Sequence, residues 1–381
     1  MFKKELSKKL SALAKQHLLR NLISRSSCQG PVITIRGRHY LNFASNDYLG
    51  LAAHPAVVKA AQDAGASYGF GAGSSRLLAG GTVLHGKLEK AVAAFKGTGA
   101  ALVFNSGYAA NTGIIPAIAE EGDALFSDEL NHASIIDGCR LSRAEKHIYL
   151  HRDVDHLESL LRKERRARRK IIATDAVFSM DGDIALLPDL CFLSKRYKAV
   201  LYIDDAHGTG VLGRGRGSLA HFGICPEPWI IQMGTFSKAL GTFGAFAAAG
   251  REVIDWLVNS SRSFIFSTAL PAPVIAASLA ALRIVSRDKV LQARLLRNRS
   301  LLAGGLQKMG FDIMGSETPI VPVRLSSVKK AVVLSAQLFE QGIFAPAIRP
   351  PTVAEPRIRL TITAAHTAGQ IELLLKALMK D

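Results

Sequence analysis

The chain has 381 residues, 48% hydrophobic and 21% charged, with a formal net charge of +17. Such a length suits about two or three domains, and the balance is that of a globular protein rather than a disordered or fibrous one. No run reaches the roughly 18 apolar residues of a membrane helix, and four scattered cysteines without a C-x-x-C pair argue against a zinc or disulfide framework.

The first segment, MFKKELSKKLSALAKQHLLR, is basic but lacks the apolar core of a secretory signal. Leu6, Leu10, Leu13 and Leu18 fall near helical spacing, which predicts an amphipathic helix packed on the body. With the reduced-looking cysteines, this points to a cytoplasmic protein with no membrane partner and no metal. Helices are expected over 83–95, 153–166 and 189–197. Strands are expected over 101–105, 170–178, 199–205, 229–234 and 244–250. Several of these are continuous apolar runs, as in a mostly parallel sheet covered by helices on both faces. From about 280 the pattern changes to a helical stretch over 274–310, a strand over 320–325 and a helix over 329–341. A strand over 357–363 and a helix over 365–379 finish the chain. The expectation is an α/β protein: an N-terminal helix and strand segment (1–49), a large α/β domain (50–280) and a small α+β domain (281–381).

The run RKERRARRK (162–170) holds seven basic residues and one acid, the default for a solvated face. No nucleic-acid motif accompanies it, so no nucleic-acid partner is expected. A basic surface would also attract an anionic acyl carrier.

Lys238, in G-T-F-S-K (234–238), follows a strand, and Asp204 and Asp205 close the strand before it. A lysine and a strand-end acid in this order suit pyridoxal phosphate (PLP) chemistry. The amine holds the cofactor aldehyde, and the carboxylate keeps the pyridine nitrogen protonated. Alternation along the strand lets only one of the two aspartates face the cofactor. Thr235 and Ser237 offer hydroxyls to a phosphate, and His207 can donate to the ring oxygen. In F-N-S-G-Y-A-A-N (104–111), Gly107 opens a helix whose free N–H groups suit an anion, and Tyr108 can cap the ring. His132 can stack on the ring and Ser179 can hydrogen-bond it. Arg359 can clamp a carboxylate, and the stiff R-P-P-T segment starting at Arg349 can fix a further polar group.

The runs N-F-A-S-N-D-Y-L-G-L (42–51), G-A-G-S-S-R (71–76), F-N-S-G-Y-A-A-N, F-S-M-D-G-D (178–183), D-D-A-H-G-T-G (204–210) and T-F-S-K (235–238) resemble the α-oxoamine synthases over nearly the whole chain. The resemblance implies a fold-type I PLP enzyme, a homodimer with active sites at the subunit interface. It selects Asp204 as the pyridinium partner, with Lys238, His132 and His207 catalytic. Gly107, Tyr108, Ser179, Thr235 and Ser237 are then implied to bind the cofactor, with Ser267 and Thr268 reaching in from the other subunit. It also implies that Arg20, Asn46, His132, Arg349, Thr352 and Arg359 lie near the substrates. The R-P-P-T segment most resembles the branch that joins L-alanine to a pimeloyl thioester, on coenzyme A or an acyl carrier protein. A glycine-using sister reaction is the alternative, and a PLP-binding scaffold without turnover is the alternative from another class. The chain departs from the family pattern at Asp175-Ala176, where Glu-Gly is expected, at Ala272 and at Ala354.

Overall fold

The computed structural model describes residues 1–379. The chain divides into two compact units, one made of residues 1–50, 180–183 and 294 onward, the other of 51–179 and 184–293.

The first unit opens with α1 (Phe2–Lys15). Phe2, Leu6, Leu10 and Leu13 recur at helical spacing and make one apolar stripe. No residue of α1 is buried, so the expected packing of this helix on the body is corrected, and Leu18 lies beyond its end. Next come β1 (Val32–Ile35) and β2 (Arg38–Asn42), paired antiparallel. Their two-residue turn puts both Arg36 and Gly37 at positive φ, the geometry that matches the twist of a hairpin.

The second unit is built in chain order from α2 (Pro55–Tyr68), α3 (Val83–Lys96), β3 (Ala100–Phe104), α4 (Gly107–Ile118) and β4 (Ala124–Asp128). There follow α5 (Ala133–Leu141), β5 (Glu145–Tyr149), α6 (Val154–Lys163), β6 (Lys170–Asp175), α7 (Leu187–Tyr197) and β7 (Val200–Asp204). Then come α8 (Ser218–His221), β8 (Ile230–Thr235), β9 (Ala245–Ala249), α9 (Arg251–Ser260), α10 (Arg262–Ile265) and α11 (Ala272–Arg287). Seven strands form one sheet in the order β3-β9-β8-β7-β6-β4-β5, in which β9 alone runs against its neighbours.

Both faces of this sheet are covered, which explains the unbroken apolar strands. Leu125, Ile171, Ala173 and Tyr202 pack on one face with Ala110 and Ile114 of α4 and Ile135 of α5. Phe126, Ile172, Leu201 and Ile203 pack on the other with Leu157 and Leu161 of α6 and Leu187 of α7. The period of two along each strand therefore decides which way the residues at the strand ends face. Asp175 and Asp204 continue the parity of Ala173 and Tyr202, and so turn toward the α4 and α5 face.

The helical stretch expected over 274–310 is two helices, α11 and α12 (Val290–Lys308), and this corrects the sequence reading. Asp288 is extended (φ −88, ψ 108), and its carboxylate accepts from the N–H groups of Val290 (2.8 Å) and Leu291 (3.4 Å). An aspartate that caps the next helix costs the preceding one its continuation.

The first unit is completed by β10 (Ile320–Arg324), α13 (Val328–Glu340), β11 (Ile343–Phe344), β12 (Ala347–Ile348), β13 (Arg357–Thr361) and α14 (Ala368–Leu378). Strand β11 joins β2 in parallel, with Ile343 opposite Leu41, so the first fifty residues belong to the same unit as the last ninety or so in chain order. The segment 180–183 is tied to that unit by Arg357, which donates to Met180 O (3.3 Å) and to the Asp181 carboxylate, and by Thr318, whose hydroxyl donates to Gly182 O (2.9 Å). No helix among the described residues is long and apolar enough to cross a membrane.

Candidate active site

In the second unit a cavity of about 190 Å³ opens at the C-terminal ends of the parallel strands, the edge where open α/β sheets bind ligands. Asp175, Asp204 and Thr235 reach it from the ends of β6, β7 and β8, and Gly107, Tyr108 and Asn111 from the start of α4. His132, Ser134, Ser179, His207, Ser237 and Lys238 stand in the same wall. Nine residues expected to hold the cofactor are thus brought together: Gly107, Tyr108, His132, Ser179, Asp204, His207, Thr235, Ser237 and Lys238.

Asp204 and Asp205 have separate tasks. Asp204 accepts from the Asn111 amide (Nδ2 to Oδ2, 2.8 Å) and from the Ala206 N–H (3.0 Å) while facing the cavity. Asp205 is buried in an ion pair with Lys96 (2.7 Å), and also accepts from the Thr209 hydroxyl (2.9 Å) and the Ser218 N–H (3.1 Å). The pair holds down the loop that carries His207.

Lys238 sits in a tight turn after β8. The Gly241 N–H donates to Lys238 O (2.9 Å), and the Thr242 N–H returns to Phe236 O (2.9 Å). Gly241 has φ +66, and a Cβ there would lie 2.3 Å from the Ala52 nitrogen, so only glycine fits the turn. The hydroxyls of Thr235 and Ser237 lie 2.6 Å apart at one end of the cavity. The same cavity meets the start of α4, where Ser106 caps the helix by accepting from Ala109 N–H (3.1 Å). The N–H groups ahead of Ala109 remain at the mouth, an anion-binding arrangement. Tyr108 is half-exposed, its hydroxyl donating to Asp137.

His132 precedes α5 and is held by its backbone N–H, which donates to Asp175 Oδ2 (2.6 Å). Burial holds its imidazole below the ordinary range; the Asp204 carboxylate opposes this and Lys238 reinforces it. Burial first, then the Asp204 charge, pushes the Asp175 carboxyl well above the usual carboxylate range. The cavity therefore holds an amine, two carboxyl groups of unequal acidity, an imidazole, and hydroxyls together with a helix N-terminus. That donor set fits PLP, with Lys238 for its aldehyde, Asp204 for its pyridine nitrogen and the hydroxyl end for its phosphate.

Five residues of this wall were not among the expected site residues: Asn111, Ser134, Asp175, Ala206 and Met233. Asn111 lies one helical turn after Gly107, which places both on the same side of α4. That spacing was the available signal. Ser134 stands two residues beyond His132, and Asp175 was visible only as a departure from the family pattern.

Ser267 and Thr268 do not line their own chain's cavity. The Thr268 carbonyl accepts from Asn105 Nδ2 (2.8 Å), and Thr268 bridges Ser75. The remaining expected substrate residues lie in the first unit, in two groups. Arg20 donates to Thr352 Oγ1 (3.3 Å) and Pro350 O (3.2 Å), while Arg349 donates to Leu19 O (2.8 Å). Burial, then the Arg20 charge, lowers the Arg349 guanidinium from its ordinary range. Arg359 donates to Asn46 Oδ1 (3.1 Å) and Thr361 Oγ1 (3.0 Å), and burial pushes the Tyr48 phenol beside it up to about 12 against the pull of the guanidinium.

Residues 38–378 match the family model described as aminotransferase class I and II, and the chain belongs to that family, within it to the α-oxoamine synthases. It is 50% identical to the 8-amino-7-oxononanoate synthase of Geobacter sulfurreducens, over 97% of this chain and 96% of the relative. It is 51% identical to the protein of the same name from Citrifermentans bemidjiense, over 96% and 95%. Among solved structures, serine palmitoyltransferase from S. paucimobilis with bound PLP–myriocin aldimine superposes with a TM-score of 0.94 at 30% identity, covering 99% of this chain and 96% of that one. The 8-amino-7-oxononanoate synthase of Francisella tularensis gives 0.79 at 28% identity, covering 90% and 97%.

Proposed function

We propose that this protein uses PLP to condense L-alanine with a pimeloyl thioester, yielding 8-amino-7-oxononanoate, carbon dioxide and the free thiol carrier, a step of biotin biosynthesis. The observation that carries the reading is the convergence of Lys238, Asp204 and His132 on one cavity at the strand ends, in a chain about half identical to relatives of that name over nearly its full length.

When bound, PLP supplies the electron sink that stabilises negative charge at the amino acid Cα. Lys238 Nζ would hold the cofactor aldehyde and would serve as the base for the substrate Cα proton. Asp204, held by the Asn111 amide and the Ala206 N–H, keeps the pyridine nitrogen protonated. His207 would donate to the ring oxygen, and Ser179 would contact the ring. Gly107, Tyr108, Thr235 and Ser237 surround the phosphate and ring edge. His132 would lie over the ring and would donate a hydrogen bond to the oxygen of the new ketone. Arg359 holds the alanine carboxylate, while Arg20, Asn46, Arg349 and Thr352 bind near the substrates.

The working unit is a homodimer, in which Ser267 and Thr268 complete the partner's site. Two features support this: both residues stand outside their own cavity, and Phe70, Leu77, Leu78 and Phe266 of the second unit are strongly exposed.

The test is product analysis of the PLP-loaded protein given L-alanine or glycine, with pimeloyl-coenzyme A or the pimeloyl acyl carrier protein. A nine-carbon amino ketone from alanine supports the assignment. Turnover with glycine and a shorter thioester alone would move it to a sister reaction, and no turnover with any pair would leave a PLP-binding scaffold.

A further inference from the structure

Five side chains, four of them in the cavity wall and Tyr202 buried behind it, form one directional hydrogen-bond relay. The Asn111 amide NH2 donates to Asp204 Oδ2 at 2.8 Å. The second hydrogen of that NH2 points to Ser134 Oγ, 2.7 Å away. The Asn111 carbonyl oxygen then faces the Tyr202 hydroxyl, which donates to it. Burial pushes the Tyr202 phenol well above its ordinary range, so the hydroxyl keeps its proton. Ser134 Oγ, accepting from Asn111, turns its own proton to His132 Nδ1 at 2.7 Å. The Ser134 backbone N–H, which can only donate, also points at Nδ1 (3.3 Å). Two donors on one ring nitrogen leave it no proton, so the neutral ring carries its hydrogen on Nε2. All five residues are buried or line the cavity.

We propose that Asn111 is the positioning residue of this site: anchored by Tyr202, it orients Asp204 with one amide hydrogen and, through Ser134, fixes His132 as the Nε2–H tautomer with the other. The role assigned to His132 here rests on the proposed condensation, because a donor is needed where negative charge develops on a ketone oxygen. An imidazole free to place its proton on Nδ1 would turn a lone pair to that oxygen. One amide thus serves both the acid that holds the ring and the imidazole that covers it.

The test is ¹⁵N-histidine NMR of the full-length, PLP-loaded protein, with His132 identified by its loss in His132→Gln. The expected result is a neutral His132 protonated on Nε2 at neutral pH. Ser134→Ala removes the hydroxyl and Asn111→Ala leaves it unsteered, while Nδ1 keeps the longer backbone donor. Both should therefore add an Nδ1–H population beside the native form, and Ser134→Thr should restore the native spectrum. In turnover, Ser134→Ala should lower kcat roughly tenfold with the KM for alanine unchanged, less than the ~10²–10³ of losing a transition-state donor outright. Should Asn111→Ala fail to fold, Tyr202→Phe tests the same anchor. An Nδ1–H or doubly protonated His132 in the native protein, or a fixed Nε2–H form that persists in all these variants, overturns the relay. The expected spectrum without any condensation would leave the relay standing and overturn the proposed function; condensation with an unfixed His132 would do the reverse.

Discussion

Asp175 and Asp204 are register partners at the ends of adjacent parallel strands, and both open into the same cavity. Two buried acids so close cannot both ionise without cost. Asn111 and Ala206 donate to Asp204, whereas the His132 N–H is the donor to Asp175 at the cavity. Burial and the Asp204 charge push the Asp175 carboxyl well above the usual carboxylate range, so it holds its proton more tightly than an ordinary aspartate.

This gives the fold a pH-dependent stability with a definite sign. A carboxyl whose folded pKa is raised stabilises the fold in acid, below the unfolded value of about 3.9, and that stabilisation is lost as pH rises through the folded pKa. Asp175→Asn keeps an oxygen for the His132 N–H and cannot ionise. In the cofactor-free protein it should raise Tm near neutral pH, with the gain shrinking toward pH ~4. Thermal melts across that range decide the matter; a gain that grows toward acid would refute the assignment.

Breaking the Lys96–Asp205 pair should be severe. Both side chains are essentially inaccessible, and removing one partner of a buried pair typically costs ~3–5 kcal/mol. Lys96→Met should therefore lower the denaturant midpoint strongly while leaving Asp204 chemically intact. A midpoint within experimental error of the native protein would show that the loop bearing His207 is held by other means.

Lys238→Ala should abolish product formation and remove the cofactor fixed to the protein by borohydride reduction. Mass spectrometry of the reduced protein reads this directly. Label found on another lysine would reassign the attachment point.

Arg359→Ala should weaken alanine. Hydrogen bonds to a charged group are worth ~1.5–3 kcal/mol, or roughly 10–100-fold in affinity. Arg359→Lys should recover only part, since an ammonium lacks the planar fork. Spectral titration with alanine measures both, and an unchanged affinity in Arg359→Ala would place the carboxylate elsewhere.

The parts legible in the sequence were those where one chain segment carries the whole signal. Strands β6 to β9 read as unbroken apolar runs because their sheet is covered on both faces, and Lys238, Asp204 and His207 stand in short runs with little freedom. What escaped depends on side chains meeting from distant segments. Asn111, Ser134 and Tyr202 are unremarkable residues until α4, α5 and β7 bring them within hydrogen-bonding distance. The break at Asp288 was hidden because the residues on either side are good helix formers, and only the capping geometry shows where one helix stops. Helix α1 showed its apolar stripe in sequence, but a stripe does not say what covers it.

The Asp204-Asp205 doublet also gives β7 an internal check on its registration. Alternation sends one carboxylate to the cavity and the other to Lys96. If the strand advanced by one residue, Asp205 would enter the cavity and Ala206 would leave a buried ammonium unmatched. If it lagged by one, Lys96 would keep a carboxylate while Ile203 took the place of Asp204 at the cavity. The first error is punished in stability and the second in chemistry, so only the native alignment of this strand yields a protein that is both durable and active.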